Sequence, residues 1–137
     1  MHAAKFLDTN ILLYAYDLDA PAKRSIALGL VEAGWQDLGR TALSVQVLQE
    51  FHVNLLRRGL AQNDAARLVT DFMHWPVVDN SREILRAALA EQSRWQLSLW
   101  DALIVAAARA SGATELLTED LTHGQDLQGL RIVNPFR

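Results

Sequence analysis

The sequence contains no cysteine in 137 residues. A disulfide scaffold, a thiolate metal site and a cysteine nucleophile are therefore excluded, and any catalysis must use oxygen or nitrogen groups. Proline and glycine are sparse, 3 and 7 residues dispersed as punctuation, so no linker or low-complexity tract interrupts the chain. No apolar run approaches the ~18 residues that a membrane span requires. Lys5 and Asp8 bring charge too early for a secretory leader, which makes a cytoplasmic protein the expectation. Basic residues are not in excess either: 13 Lys and Arg face 16 Asp and Glu, a net charge of −3. That balance argues against a nucleic-acid binder working by bulk positive charge.

What is present is apolar residue, 50% of the chain. A chain of this length removes roughly 68% of its unfolded surface from water, enough for a core without staples, and residues 1–137 are expected to form a single domain. The apolar segments alternate in type. Short strands are predicted at Lys5 to Leu7, Arg40 to Leu43, Pro76 to Val78, Glu115 to Thr118 and Arg131 to Val133. Helices are predicted from Ile11 to Tyr16 after an Asp8-Thr9-Asn10 turn, from Pro21 to about Trp35, and from a Ser44 cap to Arg58 before Gly59. Further helices run from an Asn63 cap to about His74, from an Asp79-Asn80-Ser81 cap to Arg94, and from Ser98 to Ser111 before Gly112. Strands separated by helices imply an α/β fold with a parallel sheet covered on both faces. In such sheets ligands bind beyond the carboxyl ends of the strands, so acids placed there become candidates.

Four carboxylates sit where an apolar segment ends or is interrupted: Asp8, Glu50, Asp101 and Asp120. Each also has an ordinary structural reading. Asp8 can cap a helix; Glu50 can be a solvated charge paired with Asn54 or Arg57 on its helix. Asp101 has capping-box spacing from Ser98, although an ionised carboxylate beside the apolar stretch Leu99 to Ala108 is costly without a compensating cation or hydrogen bonds. Asp120 can be a loop residue, and its neighbour Glu119 competes with it for any role.

Taken together they make a different argument. Carboxylates gathered in one pocket raise each other's pKa unless a cation lies between them. An all-oxygen set favours Mg²⁺ or Mn²⁺, ions that activate water for phosphodiester displacement. With the four set aside, 13 basic residues face 12 acidic ones, and the electrostatic objection to a nucleic-acid substrate shrinks.

At these residues the sequence resembles the PIN-domain nucleases, and among them the VapC-type toxins of bacterial toxin–antitoxin pairs, over nearly the whole chain. Phe6-Leu7-Asp8-Thr9-Asn10-Ile11-Leu12 is similar to the opening strand and first acid, and Gln49-Glu50-Phe51 to the second acid on its helix. Ser98-Leu99-Trp100-Asp101-Ala102-Leu103-Ile104 is similar to the third segment, and Leu117-Thr118-Glu119-Asp120-Leu121 to the fourth, with Asp120 at the acidic position. The tail Gly129 to Phe136 is similar to the closing strand of one subgroup. The resemblance implies a PIN-like five-stranded parallel sheet flanked by helices. It also implies a Mg²⁺-dependent endoribonuclease leaving a 5′-phosphate and a 3′-hydroxyl, a homodimer, and a cognate antitoxin that joins it in a heterotetramer or larger complex.

Thr9, Asn10 and Thr118 adjoin the acids and could orient them, or serve only local turns. Arg57, Arg58, Lys23, Arg24, Arg94 and His123 are candidate RNA contacts; Trp75, Trp95 and Trp100 could stack bases, fill a dimer interface or belong to the core. Two other functions compete. One is an RNA-binding regulator that occludes its target without cleavage. The other is a phosphoacceptor or phosphatase using Asp8, disfavoured because no second Asp stands two residues on and no late-strand lysine is present.

Overall fold

The computed structural model describes residues 2–137. Five strands form one parallel sheet in the order β3-β2-β1-β4-β5, where β1 is Lys5–Leu7, β2 Thr41–Ser44, β3 Val77–Val78, β4 Glu115–Leu117 and β5 Arg131–Val133. The central strand β1 pairs with β2 through Phe6 opposite Ala42 and with β4 through Leu7 opposite Leu117. Successive strand residues point to opposite faces. Phe6 and Leu7 are both 0% exposed, so both faces of the sheet are covered, as a parallel sheet requires.

The helices that cover it are α1 Thr9–Ala15, α2 Pro21–Gln36, α3 Val45–Arg57, α4 Gln62–Phe72, α5 Arg82–Trp95 and α6 Leu99–Ala110. Ser44, Ser81 and Ser98 cap α3, α5 and α6 by accepting a backbone N–H three residues on, as their sequence positions predict. Pro21 opens α2 at a position where its missing N–H costs nothing. The chain lays β1, β2 and β3 outward to one side, then returns to place β4 on the other side of β1. The order of strands therefore switches between β1 and β4, and the carboxyl ends of those two strands open the crevice in which such sheets bind ligands.

Three local expectations are corrected. Thr9 and Asn10 are the first residues of α1, capped by Asp8, rather than part of a turn before it. Asn63 does not cap α4: the first helical bond, from Ala65 N to the Ala61 carbonyl at 3.0 Å, starts the helix two residues earlier, with no side-chain cap. Asp64 in that first turn favourably meets the positive end of the helix. Trp75 is neither a surface platform nor an interface residue. It is 3% exposed and packs edge-on against Phe72 at 5.1 Å and Trp35 at 5.5 Å between ring centres. Gly34 makes room for it, because a Cβ there would stand 2.4 Å from the indole ring, inside van der Waals contact.

Helices α5 and α6 meet through small residues, Ala88 against Ala102 and Ala106. A part-buried ion pair, Arg109 Nε to Glu91 Oε1 at 2.5 Å, ties them together, and Trp95 donates its indole N–H to the other Glu91 oxygen at 2.7 Å.

Candidate active site

Asp8 leaves β1 where the sheet ends and is buried, with 6% exposure. Its Oδ1 accepts the Thr9 backbone N–H at 2.7 Å and its Oδ2 accepts the Thr118 hydroxyl at 2.8 Å. Burial pushes its carboxyl up to about 6; the two hydrogen bonds pull the other way, and the charges of Asp120 and Glu50 add to the rise.

The remaining acids come from three other segments. Glu50 lies midway along α3 and its Oε1 accepts the Thr9 hydroxyl at 2.7 Å. Asp101 lies in the first turn of α6; burial raises its pKa, opposed by its hydrogen bond with Ser98 and assisted by the Asp120 charge. Asp120 follows β4 and its Oδ2 accepts the Asn10 amide at 3.0 Å. Its backbone N–H donates to Thr118 Oγ1 at 3.1 Å. Asp8, Glu50, Asp101 and Asp120 all line one cavity of about 240 Å³, and Thr9, Asn10 and Thr118 each hold one or two of them. Asn54, expected as a partner for the Glu50 carboxylate, donates instead to the Glu50 backbone carbonyl at 2.8 Å.

Glu119 goes elsewhere. Its carboxylate accepts the Tyr14 hydroxyl at 2.7 Å and the Lys23 ammonium at 2.6 Å. Burial raises its pKa, but the hydrogen bonds from Lys23 and Tyr14 and the Lys23 charge outweigh that effect and leave it lowered. Adjacent residues on the loop after β4 therefore face opposite ways, Asp120 into the cavity and Glu119 onto α1 and α2.

The basic candidates lie away from the cavity lining, whereas Trp100 is part of it. Arg57 is exposed in the last turn of α3, and Arg58 approaches Asp17 at 3.8 Å. His123 accepts the Asn134 backbone N–H at 3.0 Å, and Arg94 donates to Gln128. Gln46 and Asn54, four residues to either side of Glu50, do line the cavity. That they share the Glu50 face of the helix follows from the 3.6-residue period, and it was the available signal for them.

Hard oxygen donors suit a divalent cation of the Mg²⁺ class. Asn10 Oδ1 is buried with no hydrogen-bond partner among the described residues, an acceptor left over beside the acids. Among the described residues no three carboxylate or histidine side chains converge tightly enough to enclose an ion as they stand. Asp8, Glu50 and Asp120 are each oriented by a separate side chain, Thr118, Thr9 and Asn10. The residues thus fit such an ion in donor chemistry and in charge.

A profile of the PIN domain matches residues 5–124 of the sequence. The chain belongs to the PIN-domain family. This is a nuclease family whose members are generally metal-dependent. Comparison of the sequence with curated proteins returned no match. Among solved structures, this PIN domain is similar to a toxin–antitoxin complex from Klebsiella pneumoniae, with 26% identity and a TM-score of 0.69, covering 97% of this chain and 98% of that one. It also resembles DNA-bound VapBC from Salmonella typhimurium, at 20% identity and a TM-score of 0.64, with 95% and 96% of the two chains covered. A third likeness is to VapC20 of Mycobacterium tuberculosis, described as a Sarcin-Ricin loop cleaving toxin, at 20% identity and a TM-score of 0.61, with 82% and 87% covered. No described helix of the PIN domain is long and apolar enough to cross a membrane.

Proposed function

We propose that this PIN domain is a Mg²⁺-dependent endoribonuclease, the VapC-type toxin of a toxin–antitoxin pair acting in the cytoplasm. The observation that carries the reading is the meeting of Asp8, Glu50, Asp101 and Asp120, from four separate segments, in one cavity at the strand-order switch. Buried carboxylates such as Asp8 and Asp101, whose pKa is raised by burial and by the charges beside them, have a use if the set holds a divalent cation.

Asp8 and Asp101 are the main ligands in this account, with Glu50 and Asp120 completing the set and Mn²⁺ able to substitute. The bound ion supplies charge stabilisation at the scissile phosphate and activation of the attacking water. The chain supplies orientation. Thr118 holds Asp8 and the Asp120 backbone together, Thr9 links the Asp8 backbone to Glu50, and Asn10 steadies Asp120. A carboxylate of the set would accept the proton that water loses, the water oxygen would bond to phosphorus as the P–O3′ bond breaks, and the leaving 3′-oxygen would take a proton from solvent, giving a 5′-phosphate and a 3′-hydroxyl.

The partners follow the same reading. The Klebsiella, Salmonella and Rickettsia structures to which the chain is similar were crystallised as toxin–antitoxin or VapBC complexes. We extend this to a cognate antitoxin for the present chain, bound to a toxin homodimer in a heterotetramer or larger complex. The test is incubation of the purified chain with RNA in Mg²⁺ and in EDTA, with end-group analysis of the fragments. Metal-dependent cuts bearing 5′-phosphates are expected. Tight binding without cuts in Mg²⁺ or Mn²⁺ would replace the nuclease by an RNA-occluding regulator.

A further inference from the structure

Beside the acidic cavity lies a larger groove of about 640 Å³, and Trp100 and Gln46 line both. Trp100 is the second residue of α6, next to Asp101, and at 66% it is the most exposed of the four tryptophans. The indole stands largely in water at the junction of the two cavities, unlike Trp75 and Trp35, which pack against Phe72.

The groove has an apolar lining and a polar edge. Ile84, Leu85 and Leu103 line it with Trp100. Across it Asn80 Nδ2 donates to Gln49 Oε1 at 3.2 Å, and Gln46 Nε2 donates to the Trp100 carbonyl at 3.4 Å. The opposite ends of these amides, Asn80 Oδ1, Gln49 Nε2 and Gln46 Oε1, make no hydrogen bond among the described residues. Arg82, the first residue of α5, is exposed on the same groove and has no ion-pair partner among the described residues.

We infer that this groove is a subsite for one unstacked base of single-stranded RNA, with Trp100 as its stacking platform and Arg82 placed for a neighbouring phosphate. The inference rests on the ribonuclease reading above and adds the form of the substrate. A nucleobase has two apolar faces and a rim of donors and acceptors, which is the complement of an indole, aliphatic side chains and free amide ends. The acidic cavity cannot supply RNA affinity by itself, because carboxylates repel phosphate. Binding must come from surface that continues it, and Trp100 and Gln46 form that continuation. An apolar protein segment would leave both the amide edge and the Arg82 charge unused.

The test is binding of a short single-stranded oligoribonucleotide to the full chain in EDTA, where no cleavage intervenes, read by quenching of tryptophan emission and by anisotropy of a labelled strand. Wild type should bind with quenching, Trp100→Ala should bind about tenfold or more weakly, the size of a lost base–aromatic stack, and Trp100→Phe should recover most of the affinity. A strand made abasic at successive positions should lose the same factor at one position in wild type and nothing further in Trp100→Ala. Equal affinity of wild type and Trp100→Ala overturns the subsite, and so does a Trp100→Ala chain whose mass in light scattering falls from dimer to monomer, which gives the groove to a second copy. Cleavage in Mg²⁺ that is indifferent to Trp100 leaves the nuclease and removes the subsite; Trp100-dependent binding with no cleavage leaves the subsite and removes the nuclease.

Discussion

Thr118 donates its hydroxyl to Asp8 Oδ2 at 2.8 Å across 110 residues of sequence, from the end of β4 to the end of β1. Thr118 Oγ1 in turn accepts the Asp120 backbone N–H at 3.1 Å. One fully buried hydroxyl therefore positions two of the four acids, and it does so where the strand order switches.

Replacing Thr118 by Val keeps the shape and removes this joint. Asp8 loses a hydrogen bond that lowers its pKa, and the Asp120 N–H loses its acceptor. A loss of about 1–3 kcal/mol in denaturant unfolding is expected, the usual penalty of an unsatisfied buried group. RNA cleavage should fall about 10- to 100-fold, as when partners that orient metal ligands are removed. Thr118→Ser should recover both. Unchanged cleavage in Thr118→Val would show that the hydroxyl has only a folding role.

Glu119 and Asp120 should separate cleanly in a matched cleavage assay. Glu119→Gln disturbs the bonds with Tyr14 and Lys23, a partly exposed network, so activity should stay within about threefold and stability should fall by less than about 1 kcal/mol. Asp120→Asn should lose most of the activity while folding normally. The opposite ranking would mean that the wrong neighbour has been assigned to the cavity.

The pH dependence of the metal-free protein carries a sign. The folded-state pKa of Asp8 is about 6 against an ordinary 3.8, so the folded state holds this proton more tightly than the unfolded state. Its contribution to stability is present below about 3.8 and is lost as pH rises through about 6. Asp8→Asn removes that dependence. In EDTA, the unfolding free energy of Asp8→Asn relative to wild type should increase from pH 4 to pH 7.5 by at most about 3 kcal/mol, the equivalent of about two pKa units. A difference that stays flat with pH would contradict the buried, charged Asp8 described above.

The homodimer can be tested on antitoxin-free protein. With Trp75 in the core and Trp95 half-buried and bonded to Glu91, one exposed apolar face outside the groove lining is that of α5 at Leu89, 53% exposed. Two-fold pairing is the commonest way to cover such a face. Light scattering at micromolar concentration should give twice the chain mass of 15.3 kDa, and Leu89→Glu should halve it. A wild-type mass equal to one chain would refute the dimer.

Most helix starts were legible because serine caps and Pro21 mark them chemically, and the ends of α3 and α6 because Gly59 and Gly112 follow them. The start of α4 was not, because backbone bonding from Ala61 decides it without any cap side chain. The four acids could be picked out by their places at the ends of apolar segments, and their shared cavity is a property of the sheet order. What their neighbours bind was out of reach. Thr9 and Glu50 are 41 residues apart, and Tyr14 and Glu119 are 105 apart; no local pattern encodes such contacts. Trp75 was ambiguous for the same reason, since its place depends on Gly34 in a distant helix.

The central claim is that the four acids form one divalent-metal site for RNA hydrolysis. Its most direct test is the initial rate of Mg²⁺-dependent cleavage of a single defined RNA by wild type, Asp8→Asn and Asp101→Asn, with circular dichroism showing that each chain is folded. The account predicts a loss of at least about 100-fold in both variants, since each removes a group that acts on the transition-state charge through the ion. Wild-type rates in either folded variant would contradict it.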